Sequence, residues 1–285
     1  MTLFDKFLRI RELGIFSIIV VFVIVAAIID PRFMTLDSWR AVFLAIPLIL
    51  VMAMGQMMVI ICRHVDISIG SILAFSAIVI GLLYIQFPGL SLWLSLLITA
   101  FVGLVMGLIN GFIVTRFNVH SIIVTLGTLS LYRGLVFIVS GGRQIDRNDI
   151  PEHVVSFSQT SFLFSIPGIL IFSAIIVVIT HLVMRHSVLG REIYATGSNP
   201  VAAHLKGINV TKVTLFCFGI CGMLAGVAGL FYASRFGYVN PGVTGVGIEF
   251  IVIAGVIIGG TSITGGSGSV LGTFLGILLL GIINV

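Results

Sequence analysis

Arg63, His64 and Asp66 stand together in the run Arg63-His64-Val65-Asp66-Ile67-Ser68-Ile69-Gly70-Ser71, between two apolar stretches only a few residues apart. Charge set so close to apolar chain is costly unless it pairs or reaches an interface. Gly70 with Ser68 and Ser71 can cap or reorganise the start of a helix. The run reads equally as a tight hairpin with a snorkelling Arg63 and as a gate or joint built on Asp66, Ser68, Gly70 and Ser71. A second polar set, Thr125, Thr128, Ser130, Tyr132 and Arg133, lies inside one apolar run. Hydroxyls and a guanidinium there need interior partners or a water-filled cavity, unless Arg133 snorkels outward. A third, Gly259-Gly260-Thr261 through Gly268-Ser269, lacks the Gly-Lys-Ser/Thr ending of a phosphate loop and follows no strand, so it reads as a flexible break.

Catalytic chemistry finds no candidates. No Walker lysine, paired catalytic carboxylates, metal-ligand cluster or nucleophile–base pair can be assembled, so neither an enzyme nor a metal site is expected. Cys62, Cys217 and Cys221 all fall in apolar stretches and read as core thiols rather than a disulfide framework.

The elements that hold these residues follow from composition. Of 285 residues, 59% are apolar and 9% charged, where a soluble domain carries about 25% charged residues. Mean hydropathy is +1.26. The net charge of +5 is sparse and scattered, which argues against a nucleic-acid surface and for charge-directed membrane topology. The expected fold is an all-α helical bundle embedded in lipid, with nine spans: Leu13–Ile29, Ala41–Cys62, Ile67–Ile85, Leu90–Thr115, Ser121–Ser140, Ser161–Val183, Val213–Ser234, Ile248–Ile263 and Val270–Val285. The first lacks a cleavage site before Asp30-Pro31-Arg32 and is kept as an uncleaved helix. The last run stops at Val285 without a polar cap, as if a tail were missing.

A cytoplasmic amino-terminus puts Lys6, Arg9, Arg11, Arg63, Arg116, Arg185, Arg191, Lys206 and Lys212 inside, against Arg32, Arg40, Arg143, Arg147 and Arg235 outside. The acidic loop Gly141–Thr160 then faces out, and the basic loop at residues 184–212 faces the cytoplasm. Within the basic loop, Ser198 or Asn199 can cap a short helix at Pro200–Lys206, with Pro200 in its first turn and Gly207 at its end. Ala202 and Ala203 are small enough for close docking against a soluble partner. Gly103, Gly107 and Gly111, then Gly222 and Gly226, Gly255 and Gly259, and Gly272 and Gly276 recur at four-residue spacing. Such faces let helices approach closely, here within one subunit rather than between subunits.

The chain resembles the permease subunit of bacterial ATP-binding cassette sugar importers, of the ribose, xylose and autoinducer-2 permease type. The resemblance rests on VDISIGS at Val65–Ser71, GLING at Gly107–Gly111 and IIVTLGTLSLYRG at Ile122–Gly134. It continues with GREIYATGSNPVAAHLKGI at Gly190–Ile208 and IEFIVIAGVIIGGTSITGGSGSVLGTFLG at Ile248–Gly276. The chain departs from the pattern where the usual glycine before Asp66 is replaced by His64-Val65. The resemblance implies about ten helices, a permease dimer of identical or homologous chains, a cytoplasmic ATPase carrying ATP and Mg, and a periplasmic solute-binding protein. It also places a coupling helix within Gly190–Ile208, which assigns Asn199, Pro200, Ala202, Ala203, Lys206 and Gly207 to contact with the ATPase.

Residues 1–285 are thus expected to form one permease domain of the bacterial inner membrane, without a cofactor of its own, moving a sugar-like solute by alternating access. Thr125, Thr128, Ser130, Tyr132 and Arg133 would line the route, while Asp66, Ser68, Gly70, Ser71, Gly259 and Gly260 would serve as joints. Two alternatives stay open. An ion-coupled secondary transporter would need an intramembrane acid such as Asp66, and a related permease for branched-chain amino acids or nucleosides would differ only in substrate.

Overall fold

The computed structural model describes residues 11–159, 161–163 and 166–284; Lys6, Arg9, Thr160 and Val285, used above, lie outside the described residues. Helix α1 (Arg11–Ile29) is followed by α2 (Leu36–Ile61), α3 (Ile69–Gln86), α4 (Leu92–Phe117) and α5 (Ser121–Ser140). A short α6 (Glu152–Gln159) and a small hairpin, Ser161–Leu163 with Ile166–Pro167, precede α7 (Gly168–His186). Next come α8 (Val188–Ser198), α9 (Pro200–Leu205), α10 (Val210–Phe236), α11 (Ile248–Ile258) and α12 (Val270–Ile283).

Among the described residues, seven helices (α1 to α5, α7 and α10) are long and apolar enough to cross a membrane. The bundle is a polytopic helical membrane protein, as its composition implies. One expected span differs. Helix α11 has 11 residues, or about 17 Å, against roughly 30 Å of hydrocarbon, while α12 follows the expected last run over Val270–Ile283. The run expected as Ile248–Ile263 stops at Ile258 because Gly259 leaves the helix and Gly260 takes a φ of +86°.

Helices α2, α3 and α10 are mostly enclosed by the others, whereas α1, α4, α5 and α7 turn apolar faces outward. The enclosure depends on missing side chains. A Cβ on Gly103 or Gly107 of α4 would collide with the carbonyl oxygens of Gly222 and Phe218 on α10, and one on Gly226 with that of Thr99. Across the α11–α12 pair, Gly276 and Gly272 meet the carbonyls of Gly255 and Gly259. The glycine repeats therefore serve packing within the chain.

Helices α8 and α9 sit at the end of the bundle where α2 and α4 finish and α5 and α10 begin. The expected short helix is there as α9, and Asn199 rather than Ser198 caps it, accepting from the amides of Val201 and Ala202 at 3.1 Å each. Helix α8 was not anticipated from the sequence. At the other end, residues 141–167 hold α6 and the hairpin and are tied to the α10–α11 connection by an Ile145–Val239 bridge.

Candidate functional site

The site starts where α2 stops. The amide of Arg63 donates to the Ile60 carbonyl at 2.9 Å and that of His64 to the Val59 carbonyl at 3.0 Å. These paired bonds end a helix around a left-handed residue, usually glycine. Here that residue is Arg63, at φ +68°. From it the chain runs unwound to Ser68 before α3 begins at Ile69.

Helix α5 holds the unwound stretch from one side. Ser121 Oγ accepts from the Val65 amide at 3.1 Å, Thr125 Oγ1 donates to the Val65 carbonyl at 3.4 Å, and Ser71 Oγ donates to the Leu129 carbonyl at 2.9 Å. Asp66 is completely buried. Its Oδ1 accepts from the Ser68 amide at 2.9 Å and the Ser68 hydroxyl at 2.7 Å, and its Oδ2 from Asn110 Nδ2 at 3.3 Å. Asn110 also donates to Ser68 Oγ at 2.7 Å and accepts from Tyr132 at 3.1 Å. The Gln56 amide pairs with the main chain of Asp66, donating to its carbonyl at 3.2 Å and accepting from its amide at 3.1 Å. Among the described residues, no lysine, arginine or histidine lies within ion-pair distance of Asp66. Four elements thus fix one unwound turn through a carboxylate satisfied by hydrogen bonds alone.

The connection between α10 and α11 folds back to the same region. Arg133, more than halfway along α5, donates from Nη1 to the Thr244 carbonyl at 2.6 Å and the Pro241 carbonyl at 3.4 Å. Gly245, at φ +75°, and Glu249, buried in the first turn of α11, crowd Gly70 so closely that a Cβ there would strike both. Arg133 therefore points into the protein rather than snorkelling.

Both helix breaks meet at the α8–α9 end. The Gly266 amide donates to the Ile61 carbonyl at 2.9 Å, and Gly197 packs its Cα on that same oxygen. Gly259 lies against Gly272 and Thr273, and Gly260 supplies the turn out of α11. Beside this junction a cleft of about 390 Å³ is lined by Arg63, His64, Thr115, His120, Ser121 and Thr214. Burial, then the neighbouring His120, push the His64 pKa down to about 4, so its imidazole is neutral near pH 7.

Thr125, Thr128 and Tyr132 share one buried face, but Ser130 does not join them. It is exposed and bonds back to the Leu126 carbonyl at 3.4 Å. At 100° per residue Ser130 sits nearly opposite Tyr132, so it stands apart from the rest of the polar set expected along the route. Thr125 and Tyr132 hold the unwound segment and Asn110 rather than face an open channel. On α9, Ala203 is buried against the protein, whereas Ala202 is exposed together with Asn199, Lys206 and Gly207. The exposed large apolar side chains of α9 are Val201 and Leu205, 71% and 80% exposed. Sequence reading passed over them, though two large apolar residues four apart in a polar loop were a usable signal. It also missed Gln56 and Asn110, polar residues isolated within apolar runs.

The comparisons agree with this architecture. Residues 40–285 match the family described as branched-chain amino acid transport system / permease component. The chain is similar to the Autoinducer 2 import system permease protein of Yersinia enterocolitica, with 36% identity over 89% of this chain and 69% of that protein. Its counterparts in Yersinia pseudotuberculosis and Yersinia pestis are each 34% identical over 89% of this chain and 70% of theirs. No solved structure matches. With a polytopic bundle, interrupted helices and a short capped helix at one end, the chain belongs to the branched-chain amino acid transport system / permease component family and is the membrane-spanning permease subunit of an ATP-binding cassette importer.

Proposed function

We propose that this permease works in the bacterial inner membrane with its amino-terminus and the α8–α9 end in the cytoplasm. Its solute is small and polyhydroxylated, a sugar or sugar-like molecule, delivered by a periplasmic binding protein. Two permease chains, identical or homologous, sit on a cytoplasmic ATPase that carries ATP and Mg. The solute class is supported by the Yersinia relatives, whose names state import of autoinducer 2.

The observation that carries the reading is the exposed pair Val201 and Leu205 on α9, in a stretch of chain that also exposes Arg185, Arg191, Lys206 and Lys212. An apolar pair standing on a basic end suits insertion into a cleft of a soluble subunit, with the cations at its rim. Asn199 and Pro200 fix the start of α9, Ala202 lets a partner approach, Ala203 seats the helix on the permease, and Gly207 at φ +84° turns the chain away. Movement of α9 would reach the joints at Asp66, Ser68, Gly70 and Ser71 and at Gly259 and Gly260. Rocking of the glycine-packed helices would then open the route beside Thr125, Thr128, Tyr132 and Arg133 to alternate sides.

The test is a pair of substitutions, Val201→Glu and Leu205→Glu. Both side chains leave the permease core untouched, so each variant should insert and purify in normal yield, fail to retain the ATPase on co-purification, and lose import. Normal retention with normal import would remove α9 from the interface.

A further inference from the structure

Arg63 occupies a backbone position that glycine fills at little cost. A left-handed conformation is strained for an L-residue, and such strain persists where the surroundings require the side chain. Its surroundings do. Nε donates to the Gly197 carbonyl at 2.5 Å and Nη2 to the Ser198 carbonyl at 2.6 Å. These are the last two residues of α8, whose terminal carbonyls lack helical partners and favour a cation. The stem of Arg63 meanwhile packs on Gly265, where a Cβ would strike its Cγ, and its neighbour Ile61 accepts from Gly266. One side chain therefore touches the end of α8, the α2–α3 break it belongs to, and the α11–α12 break.

Only Asn199 separates the carbonyls held by Arg63 from α9. A displacement of α9 must move Gly197 and Ser198, and the planar guanidinium on two successive carbonyls is a stiff link. We propose that Arg63 is a positioning residue that transmits motion of α9 to both helix breaks, so that ATP hydrolysis below is coupled to rearrangement around Asp66. This rests on the reading of α9 as the ATPase contact. Its left-handed backbone and its two-carbonyl grip are the same device: the first aims the side chain, the second makes it rigid.

The experiment compares Arg63→Gly with wild type in the assembled importer reconstituted in proteoliposomes, with Leu205→Glu as control. Glycine relieves the backbone and removes the fork. The variant should melt no lower than wild type, retain the ATPase and hydrolyse ATP. It should nevertheless import at least tenfold less solute per ATP. A purely structural Arg63 gives unchanged solute per ATP, which overturns the proposal, as does loss of the ATPase from Arg63→Gly. If Arg63→Gly does not fold into the membrane, Arg63→Lys reads the same ratio. Lysine keeps charge and reach but grips one carbonyl at a time, so a several-fold drop is expected, and full coupling overturns the proposal. A Leu205→Glu control that keeps its ATPase and imports normally would instead strike the α9 reading, and with it the route assigned to Arg63; an intact α9 reading with a fully coupled Arg63→Gly strikes Arg63 alone.

Discussion

Asn110 reaches across 44 positions of sequence to place Nδ2 3.3 Å from Oδ2 of Asp66, at the one turn where α2 and α3 are separated. Each group is the other's partner in an enclosed space. Asp66→Asn would set two amide donors face to face, and Asn110→Asp two carboxylates. Each single change should cost about 1–3 kcal/mol, the penalty for an unsatisfied buried polar group. The exchange Asp66→Asn with Asn110→Asp restores one donor and one acceptor. Melting of the three purified variants should show the double exchange recovering at least half of the summed loss; additive losses would mean the pair is not coupled.

Helix packing gives a second expectation. Gly222→Leu places a side chain where Gly103 and Gly107 already lie and should abolish folded protein in the membrane. Gly127→Ala on α5 meets nothing within 4 Å and should change stability by less than about 1 kcal/mol. Expression and melting of the two variants measure the contrast; equal behaviour would contradict the close α4–α10 contact.

That contact, and the matching one between Gly255, Gly259, Gly272 and Gly276, was legible in the sequence because a four-residue repeat of glycine marks a helix face. The opposed position of Ser130 was legible too, since it follows from 100° per residue. The inward turn of residues 237–247 was not. Hydropathy gives no sign of it, because the segment lies between two apolar runs and reads as an ordinary connection; only the distant contacts of Gly245 with Gly70 and of Arg133 with Thr244 show where it folds. The facing of α9 escaped for a related reason. Six residues carry too little periodicity to say whether Ala203 or Leu205 meets the protein.

His64 sets a pH dependence. The unfolded chain protonates this histidine near pH 6.5, while the folded protein keeps it neutral down to about 4. The folded pKa is depressed, so its contribution is full above pH 6.5 and lost as pH falls toward 4. A gap of that size corresponds to roughly 3 kcal/mol at most. His64→Gln should flatten the melting temperature between pH 6.5 and 4.5 relative to wild type; parallel curves would assign the acid sensitivity to other groups.

Topology can be read with single cysteines. Cys62, Cys217 and Cys221 are all buried, with Cys62 and Cys217 sulfurs 3.5 Å apart, so the native thiols should stay silent toward an impermeant maleimide. Asn148→Cys should label in intact spheroplasts and Ser198→Cys only after permeabilisation, both positions being exposed. Labelling of both from the same side would overturn the proposed orientation.

The most direct test of an ATPase-driven permease is solute uptake into proteoliposomes that contain the permease and its ATPase, with the binding protein outside and ATP inside. Uptake should require hydrolysable ATP, should stop with a non-hydrolysable analogue, and should be indifferent to collapse of proton and sodium gradients. Uptake that persists without the ATPase and follows an imposed ion gradient would contradict it, and would make the buried Asp66 an ion-coupling acid instead of a structural joint.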